Sequence, residues 1–351
     1  MPASDPRPAA VPESPTGADL DLVAIGSPLL DVIELTTVEK LSEVSLEKGT
    51  MTLIDLVTAK AVQEFMGGPR FVSGGSVANT AAGLAELGGT AGFVGAVADD
   101  EVGRTYTENL RSAGVEYEPH YSESAAADGL GTGRCIVLIT EDADRTMGTY
   151  LGAAATLSPE GVPTAFVERA SIVLLEGYLW DVPAAKDAMR HAAATAHGAN
   201  GSVALSLSDP FCVGRHQREF LDLLLDDIDI LLGNEEEITM LFGASSWKGA
   251  LKAAEETGLL VVMTRGAQGS VVLTAHGPES VPAAAVAKVV DTTGAGDLFA
   301  SGFLYGLTHG MGPVESTRLG SLCAAEVISH TGARPEADLV VMATAAGLLT
   351  G

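Results

Sequence analysis

The chain has 351 residues, 46% of them hydrophobic, which is enough to bury the core of one large α/β unit with an appendage. Its formal net charge of −26 argues against binding to nucleic acid or to anionic membranes, because phosphate backbones are bound by lysine and arginine. No apolar run reaches the ~18 residues that a membrane-spanning helix needs. Because the negative charge of the chain repels phosphates, any phosphate site must depend on local features such as helix N-termini and one or two well-placed arginines.

The remaining compositional features predict a cytoplasmic protein with a short N-terminal tail. Residues 1–19 contain five prolines and no hydrophobic segment, which predicts a disordered tail ahead of one domain at 20–351. The cysteines Cys135, Cys212 and Cys323 are far apart and lack metal-site spacing. We expect them to be small core residues in a reducing compartment.

Apolar runs and turn residues alternate along most of the chain. The predicted elements are strand 21–26, a helix ending at 87, strand 91–97, a helix beginning near 100, strands 116–121, 134–140 and 146–151, strands 172–176, 203–207, 228–232, 259–264 and 270–274 with helical stretches between them, and closing helices at 314–330 and 336–349. Strands that alternate with helices imply parallel crossovers in a doubly wound sheet.

Residues 288–307 combine a β-branched pair, a glycine turn and an amphipathic helix. Val289-Val290 predicts a short strand, residues 291–294 form a cluster of turn formers, and apolar residues then recur at helical spacing. The next residues, Gly294, Ala295 and Gly296, carry almost no side chain. Their N–H groups at the helix start predict an anion site.

Asp297 lies in the first turn of the same helix. A carboxylate beside an anion hole is what phosphoryl transfer to an alcohol needs, because the hole neutralises the moving phosphate and the acid deprotonates the hydroxyl. A plain helix cap would explain the glycines but not the acid. The helix N-terminus should stabilise the ionised carboxylate, which would make Asp297 a weak base that takes its proton late.

Other nucleotide motifs do not fit. The chain has no Gly-Lys dipeptide, so it lacks a Walker A loop, and it lacks His-Arg-Asp and Asp-Phe-Gly. The Gly294-Ala295-Gly296 run is followed by Phe299 where a dinucleotide fingerprint needs a small residue.

Two segments resemble the signatures of one enzyme family. Asp-Thr-Thr-Gly-Ala-Gly-Asp at 291–297 resembles the C-terminal signature of the ribokinase-like (PfkB) sugar and nucleoside kinases. Gly-Gly-Ser-Val-Ala-Asn at 74–79, with Gly-Phe-Val-Gly-Ala-Val-Ala-Asp-Asp-Glu-Val-Gly at 92–103, resembles their N-terminal signature. The resemblance implies a three-layer α/β/α sandwich with a doubly wound, mostly parallel sheet. It also implies a small discontinuous β lid, supplied here by residues 32–57 and 115–151.

The resemblance implies a role for each residue that matches a family motif. Asp297 would be the catalytic base, and the N–H groups of residues 294–296 would hold the phosphoryl group. The acceptor would contact Ser27, Asp31, Gly75, Ser76, Asn79, Met147 and Tyr178, with Leu151 closing one face. ATP would contact Asn234, Thr264, Gly266 and Arg145, Glu237 would hold Mg²⁺ through water, and in parts of the family a monovalent cation binds near Asp291 and Thr293.

Several of these residues also have a purely structural interpretation. Asn234 could cap a helix whose dipole is complemented by residues 235–237, and residues 264–269 could be a plain hairpin turn. Arg145 could form a surface ion pair. Asp31 could cap a turn after Pro28. Asn79 could lie on a polar helix face. Tyr178 and Trp180 are two rings at the end of strand 172–176 that could form a slot for a flat base, or they could be ordinary core residues.

Within the family the chain most resembles adenosine kinases, because Gly-Ser-Pro-Leu-Leu-Asp at 26–31 resembles their Gly-Asn-Pro-Leu-Leu-Asp. Ser27 stands where those enzymes carry asparagine. The leading hypothesis is ATP- and Mg²⁺-dependent phosphorylation of the adenosine 5′-hydroxyl, giving AMP and ADP. A ribokinase- or fructokinase-type sugar kinase, an inosine–guanosine kinase and a silent ligand sensor stay open, although the intact Asp297 argues against the sensor. We expect a small-molecule partner, neither nucleic acid nor membrane, and a monomer or homodimer.

Overall fold

The computed structural model describes residues 17–44, 46–142 and 144–350, so most of the predicted tail at 1–19 lies outside it. The strands are β1 (Leu20–Ile25), β2 (Leu29–Leu35), β3 (Met51–Leu53), β4 (Arg70–Gly74), β5 (Ala91–Val94), β6 (Ala96–Val97), β7 (Val115–Tyr117), β8 (His120–Tyr121), β9 (Gly133–Ile139), β10 (Arg145–Tyr150), β11 (Ala170–Glu176), β12 (Ser202–Ser206), β13 (Ile230–Asn234), β14 (Leu260–Thr264), β15 (Ser270–Thr274) and β16 (Gly277–Val281).

The helices connect these strands and cover them. They are α1 (Val38–Leu41), α2 (Leu56–Phe65), α3 (Ser76–Glu86), α4 (Glu101–Ser112), α5 (Glu123–Ala127), α6 (Thr164–Val167), α7 (Pro183–Gly198), α8 (Pro210–Asp226), α9 (Glu235–Leu241), α10 (Trp247–Glu255), α11 (Ala295–Thr308), α12 (Pro313–Val327) and α13 (Leu339–Ala345). Short 3₁₀ turns lie at Gly152–Thr156, Pro159–Gly161, Gly177–Asp181 and Gly266–Gln268.

The main sheet contains nine of the described strands, in the order β16-β15-β14-β13-β12-β11-β1-β5-β7. Strands β7 to β14 in this order run parallel, whereas β15 and β16 pair antiparallel at one edge. The alternation of strands and helices that the sequence predicted from residue 172 onward is present. The predicted doubly wound, mostly parallel fold is confirmed.

Helices bury both faces of the main sheet. In β1, Val23 and Ile25 point into the core shared with α7 and α8, whereas Leu22 and Ala24 point into the core shared with α3, α11 and α12. Side chains alternate along a strand, so a strand covered on both faces must be apolar almost throughout. This explains the continuous apolar runs in the sequence.

A second, five-stranded sheet in the order β3-β10-β9-β2-β4 forms the lid sheet. One face packs on α2 through residues such as Val32 and Ile136. The other face carries Asp31, Cys135 and Met147 towards a cleft. The lid sheet is discontinuous in sequence, since β2 to β4 and β9 to β10 come from separate segments.

The bounds of the lid differ from those expected at 32–57 and 115–151. The first segment extends from β2 to β4, and the second begins at β9. Strand β7, inside the expected lid segment 115–151, pairs with β5 in the main sheet instead. Tyr117 explains this placement, because its ring packs edge-on at 5.2 Å from Phe93 and 6.0 Å from Tyr106 in the main core.

The predicted strand at Val289-Val290 is wrong. These residues lie in an irregular segment, with Val289 50% exposed. The Val290 N–H donates to the Ile328 carbonyl at 2.8 Å, so the segment is tied to the end of α12 rather than to a sheet. The last helix, α13, is also shorter than predicted. No helix in the described part of the chain has the length and apolar composition to cross a membrane.

Helix α11 packs against α12 and α3 with its backbone in close contact. A methyl group on Gly302 would lie 2.7 Å from the Gly320 nitrogen. On the other side, a methyl group on Gly83 of α3 would lie 2.4 Å from the Ser301 Oγ. Small residues at these positions therefore set the distances at which α11 meets its two neighbours.

Gly302→Ala should lower the free energy of unfolding by about 1–3 kcal/mol, because the added methyl group forces two helix backbones apart. Gly249→Ala in α10 is the matched control, since the nearest atom to its methyl group would lie 3.5 Å away. That control should be neutral or stabilising by up to about 1 kcal/mol, from helix propensity. Chemical denaturation of both variants measures the difference, and equal destabilisation would contradict the packing argument.

Candidate active site

The cleft lies between the lid sheet and the carboxyl ends of the parallel strands, where ligands collect in α/β folds. Its volume is about 300 Å³. The ends of β1, β11, β12 and β13 deliver Ser27, Glu176, Ser208 and Asn234 to its lining. The anion turn at 294–297 also lines it.

Asp297 is held from two directions. It lies in the first turn of α11, and helix α3 supplies a donor to each of its carboxylate oxygens. The Ser76 Oγ donates to Oδ1 at 2.7 Å and the Asn79 Nδ2 donates to Oδ2 at 2.9 Å. Ser76 and Asn79, predicted as acceptor contacts, therefore also orient the carboxylate.

The ionisation of Asp297 differs from our expectation. Burial raises the pKa of Asp297, and the hydrogen bonds from Asn79 and Ser76 only partly oppose that rise. The helix N-terminus was expected to favour the ionised form, but removal from water outweighs it here. Asp297 is consequently a stronger base than the sequence suggested.

The anion turn has free donors. Gly294 adopts a left-handed conformation (φ 76°), and a methyl group there would lie 2.7 Å from Ala333, so only glycine fits. The Ala295 N–H donates to the Thr292 carbonyl at 3.3 Å. Within the described ranges the Gly294 and Gly296 N–H groups have no acceptor, which leaves them available to an anion.

Asp291 supports this turn from behind. Its Oδ1 accepts hydrogen bonds from the N–H and the Oγ1 of Thr293, at 2.9 and 2.6 Å. Its Oδ2 accepts from the Gly332 N–H at 2.9 Å. Both Asp291 oxygens are thus occupied by structural hydrogen bonds, and a monovalent cation at this loop stays a prediction.

The acceptor end of the cleft is polar. Asp31 is 8% exposed, and burial raises its pKa to about 7. A methyl group on Gly74 would lie 2.1 Å from the Asp31 Oδ2, so glycine makes room for this carboxylate. Gly75 and Asn79 line the same end, and the Asn79 Oδ1 has no hydrogen-bond partner among the residues described.

Glu176 is a further carboxylate at this end that the sequence analysis missed. It is 1% exposed, burial raises its pKa to about 7, and it accepts the Ser27 N–H at 2.7 Å. Its position at the end of a buried strand, before Gly177, was the available signal. No pattern in the sequence shows that the side chain turns into the cleft.

Apolar side chains line other parts of the cleft. Predicted residues Met147, Leu151 and Tyr178 line it, and Leu29, Met51 and Leu53 line it as well although they were not predicted. Trp180 does not reach the cleft. Its ring is fully buried 5.4 Å from Phe220, so core packing is the correct interpretation for this residue.

Arg145 begins β10 and lines the cleft from the lid side. It forms no ion pair with any described carboxylate, so the surface ion pair considered above is not present. Its positive charge lowers the pKa of Asp31 and of Asp297. The lid thus brings one unpaired guanidinium to a group of buried acids.

Asn234 and Glu237 bond to each other. The Asn234 Oδ1 accepts the Glu237 N–H at 2.8 Å, and the Glu237 carboxylate accepts the Asn234 N–H and Nδ2 at 2.8 and 2.7 Å. This is a capping box at the start of α9. Burial raises the pKa of Glu237 to about 7, with Asp209, Glu236 and Asp297 adding to the rise.

These acids fit a water-mediated magnesium site. Among the described residues, no group of three or more metal-binding side chains comes together. Mg²⁺ needs no such group, because it usually keeps its waters and is held by one or two carboxylates and substrate phosphates. Glu237 lines the cleft, and the other negative charges near it would be neutralised by a cation.

A second cavity, of about 170 Å³, adjoins the first. Thr264 and Gly266 line this cavity rather than the cleft, and Ala295 and Gly296 line both. The rest of its lining is small and largely apolar and was not predicted: Gly269, Ser270, Ala283, Ala284, Val286, Phe299, Ser321, Ala324, Ala325 and Ile328. The anion turn therefore separates a polar, acid-lined cleft from a narrow apolar cavity.

The nearby Arg265 does not point at either cavity. It bonds Glu235 at 2.8 Å and its guanidinium lies 4.4 Å from the Trp247 ring centroid.

A buried carboxylate beside a turn with free N–H groups, between two adjoining cavities, is the arrangement expected of a phosphotransferase that acts on an alcohol group. The pfkB family carbohydrate kinase profile matches residues 49–338. The chain belongs to this family, and its members are sugar and nucleoside kinases.

The names of individual relatives specify different acceptors. The chain is 30% identical over 336 residues to adenosine kinase of Saccharomyces cerevisiae, covering 89% of this chain and 95% of that protein. It is 30% identical over 270 residues to 5-dehydro-2-deoxygluconokinase of Shouchella clausii, covering 73% and 80%. The solved structure of adenosine kinase from Sinorhizobium meliloti superposes with a TM-score of 0.88 at 39% identity, covering 94% of this chain and 100% of that one.

Glu237→Gln should raise the Mg²⁺ concentration needed for half-maximal activity, because a neutral amide orders the waters of the metal less strongly than a carboxylate does. Glu236→Gln is the matched control, since it removes the same charge from the adjacent, exposed position. Mg²⁺ titrations of activity compare the two variants. If both titrate like the unmodified protein, Glu237 is a helix cap without a metal role.

Proposed function

We propose that this kinase transfers the γ-phosphoryl group of ATP to the 5′-hydroxyl of a purine ribonucleoside, with adenosine as the leading acceptor. The observation that carries the proposal is the position of residues 294–297 between the two cavities. Asp297 faces the acid-lined cleft, whereas Ala295 and Gly296 also line the apolar cavity that Thr264 and Gly266 border. An acceptor and ATP bound in these two cavities would meet at the anion turn.

The residues of the turn have different roles in the phosphoryl transfer. The N–H groups of Gly294 and Gly296 offset the charge on the γ-phosphoryl group as its bond to the ADP oxygen breaks. The acceptor oxygen forms the new O–P bond, and its proton passes to an Asp297 carboxylate oxygen. Arg145 adds positive charge from the lid side. Asn234 and Glu237 would hold Mg²⁺ through water, and the ion would supply further neutralisation of the phosphates.

The division of the cleft supports a nucleoside. Asp31, which lines the cleft, can accept hydrogen bonds from two adjacent hydroxyls, as a ribose 2′,3′-diol offers. Met51, Met147 and Tyr178 offer apolar surface for a flat base. The similarity to adenosine kinases of two organisms agrees with this choice.

A sugar kinase is the second candidate, and Glu176 favours it. This buried carboxylate adds an acceptor of hydrogen bonds to an end of the cleft where Asp31 already serves a diol. Free sugars need such groups around the whole ring, and the similarity to a 5-dehydro-2-deoxygluconokinase is as close as that to yeast adenosine kinase.

Asp297→Asn should lower kcat by at least about 100-fold, the low end for a lost general base, while folding and ATP binding stay nearly intact. Glu101→Gln is the control, because Glu101 is an exposed acid in the first turn of another helix, α4. Steady-state kinetics and calorimetric ATP titrations separate chemistry from binding. Near-normal turnover by the Asn variant would remove Asp297 as the base.

The acceptor assignment predicts the highest kcat/KM for adenosine in a panel with inosine, guanosine, ribose, fructose and 5-dehydro-2-deoxygluconate. The reason is that adenosine fills both the polar and the apolar end of the cleft. 5′-Deoxyadenosine, which keeps both ends but lacks the reacting hydroxyl, should inhibit competitively without being phosphorylated. A free sugar with the highest kcat/KM would overturn the nucleoside assignment and leave the kinase assignment intact.

A further inference from the structure

Arg334 lies behind the acceptor end of the cleft, in the segment between α12 and α13. It is partly buried, and no described carboxylate forms an ion pair with it. Its guanidinium donates to two backbone carbonyls, that of Ser73 at 3.1 Å and that of Ala78 at 3.4 Å. Partial burial of a guanidinium without a carboxylate partner has a free-energy cost, so its placement calls for a reason.

The two carbonyls belong to different parts of the molecule. Ser73 is in β4 of the lid sheet, whereas Ala78 is in α3 of the main domain. Between them lies the connection Gly74-Gly75, where Gly75 has φ 95°. Arg334 therefore spans the backbone connection between lid and core with one planar, forked side chain, a geometry that lysine cannot reproduce.

The same connection carries the reacting groups. Asp31 packs against Gly74, and Ser76 and Asn79 directly after the connection hold Asp297. The positive charge of Arg334 lowers the pKa of both Asp31 and Asp297, against the effect of their burial. Arg334 thus acts on the site from outside the cleft, which it does not line.

We propose that Arg334 is a positioning residue of this kinase: its guanidinium fixes the connection between lid and core, and it places a positive charge behind the acids on the far side of that connection. The inference rests on the proposed role of Asp297. The other charged or titratable groups near Asp31, Asp297 or Arg334 include Arg145 from β10, Cys135 from β9, Glu176 and Tyr178 from β11 and the turn after it, Tyr106 from α4, Glu237 from α9, and Glu86 from α3, which lines a surface groove together with Arg334.

The test is the pH dependence of kcat and kcat/KM in Arg334→Gln and Arg334→Lys. The Gln variant keeps N–H donors but loses the charge, so the pKa of the acids rises and the acidic limb should move to higher pH by about one unit. The Lys variant keeps the charge, so its acidic limb should stay in place. Its acceptor KM should rise, because one ammonium group cannot hold both carbonyls in the same geometry.

Arg169→Gln is the control, because Arg169 forms surface ion pairs with Asp19 and Glu116 away from the cleft and should leave the profile unchanged. An unmoved acidic limb in a folded Gln variant overturns the charge role, and unchanged KM in the Lys variant overturns the role at the connection. If the Gln variant does not fold, the Lys variant alone tests the proposal. An acidic limb that moves although the charge is retained overturns it. An unmoved acidic limb together with a raised acceptor KM supports it.

Asp297→Asn measured in parallel separates this inference from the proposed function. Normal turnover in that variant would show that Asp297 is not the catalytic base. Loss of turnover there, with wild-type profiles for both Arg334 variants, overturns only the role of Arg334.

Discussion

The site depends on one contact, in which helix α3 holds the Asp297 carboxylate of helix α11. Ser76 and Asn79 reach one oxygen each, at 2.7 and 2.9 Å. The two helices come from opposite halves of the chain, and the spacing between them is set where a methyl group on Gly83 would meet the Ser301 Oγ at 2.4 Å. Without this close packing, residues of the N-terminal signature at 74–79 could not bind the Asp297 carboxylate of the C-terminal signature at 291–297. The contact makes them one site.

Three further acids lie in the same cleft as Asp297, and their burial affects their ionisation. Asp31, Glu176 and Glu237 are all buried, and burial raises the pKa of each to about 7. The protein's net charge of −26 is spread over a surface where salt screens charges more than about 10 Å apart at 0.1 M ionic strength. The buried acids are screened far less. Burial therefore sets their protonation more than the net charge of the protein does, and Arg334 and Arg145 oppose the rise at Asp31.

The sequence predicted the features that local pattern determines. The parallel strands have continuous apolar runs, and the glycine turn with Asp297 has a signature of its own, so both were predicted. The structure differs where tertiary contacts decide. Val289-Val290 has the composition of a strand but bonds to the end of α12, and strand β7 joins the main sheet because Tyr117 packs with Phe93. Glu176 and the lining of the second cavity carry no pattern, because their roles arise only when distant segments meet.

Under the proposed function, the chemistry and the choice of acceptor reside on different elements. Asp297 and the free N–H groups lie at the start of α11, a helix packed by its backbone against α3 and α12, so their geometry tolerates little change. Much of the apolar contact surface, including Met51, Leu53 and Met147, comes from lid strands with one face towards the cleft. Side chains on that face can change without disturbing the helices that carry the reaction. Relatives of similar identity can therefore bear the names of adenosine and carbohydrate kinases, and the lid side chains of this chain should set its acceptor.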